Sequence, residues 1–142
     1  MTSDSTAPQP DAGVQALDRL VGTWRISGDA AGESTYRWLD GGFFLIQEGE
    51  ISMGEFHIRT IAVIGRDRPG DTSGDIMVRT FGSNGDTSTY VYEIDGDTFW
   101  NWEGRKGSDT FYQGTFSPDG RTLTGSWVWP GGGYQATMTR VD

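Results

Sequence analysis

Residues 87–103 read TSTYVYEIDGDTFWNWE. Tyr90 and Tyr92 recur at a spacing of two in the first half, and Trp100 and Trp102 do so in the second. That period belongs to a β-strand, whose successive side chains point to opposite faces. Between the halves stands Asp95-Gly96, a pair suited to the backbone of a tight turn. The stretch therefore reads as two antiparallel strands folded back on each other.

The same punctuation continues in both directions, at Asp40-Gly41, Asn84-Gly85 and Ser117-Pro118-Asp119-Gly120. Cutting the chain there gives ten candidate strands near 22–29, 33–39, 43–52, 55–65, 75–82, 87–94, 97–103, 109–117, 121–129 and 133–141. Their connections leave no room for the crossover helices that parallel strands need, so the neighbours are antiparallel and the path is an up-and-down meander. An open sheet would expose two edges, which closure into a barrel removes. The expected fold is thus all-β, a single antiparallel barrel of about ten strands, with a β-sandwich as the main alternative.

One helix precedes the strands. In DAGVQALDRL, residues 11–20, Val14, Leu17 and then Val21 follow a helical spacing and Asp11 stands ready to cap the start, which predicts a helix from Asp11 to Leu20. Residues 1–10, MTSDSTAPQP, carry two prolines and no apolar run and read as a disordered tail, leaving 11–142 as the barrel domain.

Composition narrows the function. The chain has 142 residues, no Cys, 11 Lys plus Arg against 20 Asp plus Glu, and a net charge of −9. That length suits one domain, burying roughly 68–70 % of the surface of its unfolded chain. Without Cys there are no disulfides, thiolate metal sites or cysteine nucleophiles, and a cytoplasmic location is favoured. The negative charge argues against nucleic acid, whose binding depends on Lys and Arg at phosphates. The sequence has neither a signal-like apolar core nor a run of about 20 apolar residues, so no membrane insertion is expected. Phosphate-loop, dinucleotide, zinc-protease and serine-hydrolase motifs are missing as well. The loop RDRPGDTSGD, residues 66–75, has no EF-hand spacing and reads as a solvated connection, so no metal site is expected.

Gly22-Thr23-Trp24 follows the helix at once, and the chain ends in a strand carrying Arg140. In this order the two ends resemble the calycin superfamily of lipocalins and fatty-acid-binding proteins. Trp38-Leu39-Asp40-Gly41-Gly42-Phe43-Phe44 is similar to a segment of bacterial lipocalin-like proteins that share the helix-then-G-x-W start. The resemblance implies that Trp24 plugs the barrel floor and Arg140 packs across it. A rival expectation has Arg140 entering the cavity to hold a carboxylate, as a last-strand Arg does in fatty-acid-binding proteins.

The paired aromatics are the densest chemical signal. Tyr90 with Tyr92, Trp100 with Trp102, and Trp127 with Trp129 would each share a strand face, and together they would form an aromatic wall for a flat or flexible organic ligand. His57 and Arg79 complete the candidate ligand-binding set. His57 is the only histidine, suited to acid–base work or to haem ligation. Nitrobindin-like barrels hold haem through a late-strand His, however, and none occurs after position 57. Alternation also groups Ile58, Thr60 and Ala62 on the more apolar face, with His57 and Arg59 opposite. Arg79 is a mid-strand cation able to pair with an acid inside.

The leading expectation is a binding protein for a small hydrophobic or aromatic molecule, without a cofactor and acting as a monomer or homodimer. The alternative is a cofactor-independent cyclase or isomerase in the same cavity, with Tyr90, Tyr92 or an inward Glu48 moving the proton. Nitrobindin-like haem binding is a lesser one.

Overall fold

The turn residues shape the chain first. The computed structural model describes residues 8–141, and in it Gly54, Gly96 and Gly131 hold positive φ in two-residue loops. Such loops force the flanking strands back on each other. Ten strands result: β1 Gly22–Gly28, β2 Ala31–Trp38, β3 Phe44–Met53, β4 Phe56–Gly65, β5 Ile76–Gly82, β6 Thr87–Asp95, β7 Thr98–Glu103, β8 Phe111–Phe116, β9 Thr122–Trp129 and β10 Gly132–Arg140. Each pairs antiparallel with its chain neighbours. β1 pairs with β10 from Trp24↔Arg140 to Gly28↔Ala136, which closes the barrel and sets the sandwich alternative aside.

The tail expected at residues 1–10 falls mostly outside the described residues, and the expected helix forms in two pieces. An α-helical turn, α1, covers Ala12–Gln15, and a 3₁₀ segment continues over Ala16–Leu20. Asp11 caps α1 as expected, its Oδ1 accepting from the amides of Gly13 and Val14. The tighter second piece drops Leu17 and Leu20, both fully buried, onto the floor of the barrel. No helix among the described residues is long and apolar enough to cross a membrane.

Helix, strand ends and long loops meet at this closed end. Leu17, Leu20, Trp24, Leu45, Ile64, Phe99, Phe116 and Leu123 fill it with apolar volume. The first residue of the loop at 66–75 is part of this packing rather than solvated, because Arg66 donates to the Asp11 carboxylate at 3.0 and 3.1 Å. Arg66 and Asp11 are only 13 % and 17 % exposed, so the pair ties α1 to the barrel in a partly desolvated setting. The two-residue loops β1–β2, β3–β4 and β9–β10 lie at the opposite end, where the barrel is open.

Candidate ligand-binding lumen

Trp24 is fully buried and donates its indole N–H to the Leu20 carbonyl at 2.8 Å. The Arg140 guanidinium lies 4.2 Å above the Trp24 ring centroid and donates to the carbonyls of Arg19, at 2.8 Å, and Val21. These contacts turn Arg140 towards the helix side of the floor, away from any carboxylate in the barrel. Arg19 repeats the device unforeseen: it lies 4.2 Å over the Phe116 ring and donates to the Gly96 carbonyl.

Above this floor the barrel encloses a lumen of about 260 Å³. That is the space of roughly nine waters. One wall is aromatic. Tyr90 meets Trp127 edge-on at 6.2 Å, and Trp127 also meets Tyr112 at 5.9 Å, with Tyr134 opposite Trp127 in the β9–β10 register. Another wall is polar and bonded to itself. Thr60 Oγ1 donates to Gln47, Gln47 Nε2 donates to Ser34 Oγ at 2.8 Å, and the Tyr36 and Tyr92 hydroxyls meet at 3.2 Å. Ile26, Ile51, Ala62, Val78 and Met138 supply the apolar remainder.

Asn101 also lines the lumen, between Tyr92 on β6 and Tyr112 on β8 in the strand register. Its Oδ1 is buried and accepts no hydrogen bond among the described residues. An unmet buried carbonyl costs about 1–3 kcal/mol, which marks Asn101 as expensive for stability alone.

All five tyrosines of the chain point inward, and burial is the first cause pushing every one of their pKa values up. Burial raises Tyr92 well above its ordinary value, and its hydroxyl shares a hydrogen bond with that of Tyr36. Glu103, opposite Tyr90 in the register, adds to the rise there by charge repulsion. These phenols are therefore neutral at physiological pH. They suit hydrogen bonding and ring contact, while forming a phenolate, as either a proton donor or a base must at some step, is disfavoured.

The predicted set divides sharply. Tyr90, Tyr92 and Trp127 line the lumen. Trp129 shares the parity of Trp127 but stands at the open rim, 38 % exposed and packed edge-on against Tyr134 at 5.9 Å. Trp100 and Trp102 face outward, contrary to expectation. The register sets Glu93 opposite Trp100 and Asn101 opposite Tyr92, so the tryptophans stack on each other outside the barrel at 4.6 Å, with Phe111 beside them. His57 is a second correction: it is exposed on the outer face, bonded to Ser52 through Nδ1 at 2.8 Å. Arg79 is a third, exposed and paired with Asp67 at 3.0 Å. Glu48 also faces out, paired with Arg37 at 3.3 Å across an outer groove whose other arginine, Arg59, holds Glu50. Asn101 and the Ser34–Gln47–Thr60 chain were missed; the sequence signal for Asn101 was a polar residue alone between two tryptophans in a strand.

No family model matches the chain, and no curated protein matches it either. A closed ten-stranded antiparallel barrel with one short helix does fit a calycin-like fold. What the lumen does must be argued from its own chemistry.

Proposed function

We propose that this barrel binds a small, largely apolar ring compound in its lumen. The observation that carries the reading is a space of about 260 Å³ left above a densely packed floor and walled by Tyr90, Trp127 and Tyr134. A barrel selected only for stability would fill that volume with Leu, Ile or Val, since unfilled core volume weakens a fold. Concave, mostly apolar sites with a few placed polar groups are the common form of small-molecule pockets.

Catalysis in the same lumen finds less support. Glu48 lies outside, and Tyr90 and Tyr92 are held in their neutral form. Haem loses its obvious ligand because His57 is on the outer face.

The test fills the lumen. Ala62 is 3 % exposed and lies on the lumen wall, so Ala62→Leu places three extra carbons in the cavity. Quenching of tryptophan fluorescence by a panel of aromatic and polyene compounds should fall at least tenfold in affinity in this variant. Trp100→Leu and Trp102→Leu, on the outer face, should bind like the parent. Equal affinity in Ala62→Leu, or loss in the two outer variants, would place the ligand elsewhere.

A further inference from the structure

We propose that the lumen selects an uncharged ring compound bearing an amide-like edge, a hydrogen-bond donor beside an acceptor, which docks on the Asn101 carboxamide. The inference rests on the lumen being a ligand site and goes on to name what that ligand carries.

Three observations converge on it. First, Asn101 Oδ1 is buried with no partner among the described residues, while Ser34, Gln47 and Thr60, which line the same lumen, bond to one another. Rotation about the last side-chain bond of an asparagine is broad and two-fold, so either the carbonyl or the amino group can be turned to the lumen. A ligand edge with both a donor and an acceptor satisfies the pair, and a hydrocarbon satisfies neither.

Second, no Lys, Arg or His among the described residues lines the lumen. The nearest charges are carboxylates: Glu33 and Glu50 border it, and Glu103 stands opposite Tyr90 in the strand register. A ligand carboxylate would be desolvated without a cation and would meet like charge, so the carboxylate capture considered for Arg140 has no counterpart here.

Third, a cation finds no free counter-charge deep in the lumen: Glu33 is exposed at its border, alternating with inward Ser34 and Tyr36, and Glu103 is not among the residues that line it. Glu50 is already held by Arg59 at 3.1 Å, and among the described residues no carboxylate projects from the inner wall formed by Tyr36, Gln47, Tyr92 and Asn101. A charge of either sign pays desolvation there, whereas a neutral amide exchanges its water for Asn101 and lays its ring against Tyr90 and Trp127.

A matched series tests this by calorimetry on the full chain: 2-naphthamide, 2-naphthoate, 2-naphthylmethylammonium and 2-methylnaphthalene. The amide should bind the parent at least tenfold more tightly than the other three. Asn101→Leu, with the same number of side-chain heavy atoms and the same branch point, should erase that preference by weakening the amide at least tenfold, leave methylnaphthalene within about threefold, and melt no lower than the parent because an unmet polar atom has been removed. If all four bind the parent alike, or the carboxylate or ammonium binds best, the amide-edge inference is overturned and the lumen reading survives. If amide preference persists in Asn101→Leu, the inference is overturned as well. If none of the four binds, methylnaphthalene included, the lumen reading falls and the inference falls with it.

Discussion

Replacing Arg140 by alanine removes three contacts at once. The guanidinium stacks 4.2 Å above the Trp24 ring and donates to the Arg19 and Val21 carbonyls at the seam between β1 and β10. A half-buried cation–π contact contributes about 0.5–2 kcal/mol. Hydrogen bonds from a charged donor contribute about 1.5–3 kcal/mol each, less where water reaches the freed carbonyls. Because the three share one side chain and do not add fully, a loss of about 3–5 kcal/mol is expected. Urea unfolding followed by tryptophan fluorescence reads it as a lower midpoint at unchanged slope. Arg140→Lys should recover only part, since an ammonium cannot stack flat and fork to two carbonyls. Ligand affinity at temperatures where the variant is folded should equal that of the parent. A loss below about 1 kcal/mol would refute the floor as Arg140-dependent, and lost affinity in a stable variant would return Arg140 to the ligand.

Two further outcomes follow from titration. All five tyrosines have raised pKa values in the fold, so the folded state holds their protons more tightly than the unfolded chain does. Their contribution is complete below the unfolded value near 10 and is lost as pH rises through the folded values, at up to about 1.4 kcal/mol per pH unit for each titrating group. Tyrosinate absorbance should therefore appear together with unfolding above pH 10; a phenol that ionises in the intact barrel near pH 10 would contradict the inward placement. At the other end, Arg66 holds the Asp11 carboxyl below its ordinary value. Asp11→Ala should cost about 1–3 kcal/mol at neutral pH through the lost cap and pair, and the gap to the parent should close as pH falls below 3.8 and through the folded value, checked by urea unfolding at each pH.

Turn chemistry made the strand count and the meander legible, because Asp-Gly and Asn-Gly pairs are local signals and antiparallel pairing follows from short loops. Trp24 and Arg140 were marked by the resemblance of the two chain ends to the calycin pattern, and closure of the barrel makes them a register pair. The facing of the aromatics was harder. Tyr92 and Trp100 look equivalent along the chain, yet the loop of Gly96 and Asp97 pairs Asp95 with Thr98, and counting back from that pair brings Asn101, not Trp100, opposite Tyr92. The signal was present in the length of the turn. His57 shows the opposite case: alternation already set it across from Ile58 and Ala62, and only its chemistry argued for the lumen. Arg79 and Glu48 could not be placed from sequence, since their partners, Asp67 and Arg37, lie on other elements. The polar residue between two tryptophans was a local hint at Asn101, but its unmet hydrogen bond is a property of the packed interior that no sequence pattern carries.

The central claim is that a ring compound enters the barrel lumen, and the indole N–H resonances of the six tryptophans report on it directly. On titrating 2-naphthamide into the ¹⁵N-labelled chain, the Trp127 signal should shift in a saturable way, while the outer pair Trp100 and Trp102 stays in place. Shifts confined to Trp100 and Trp102, or no shift at Trp127 at saturating ligand, would contradict it.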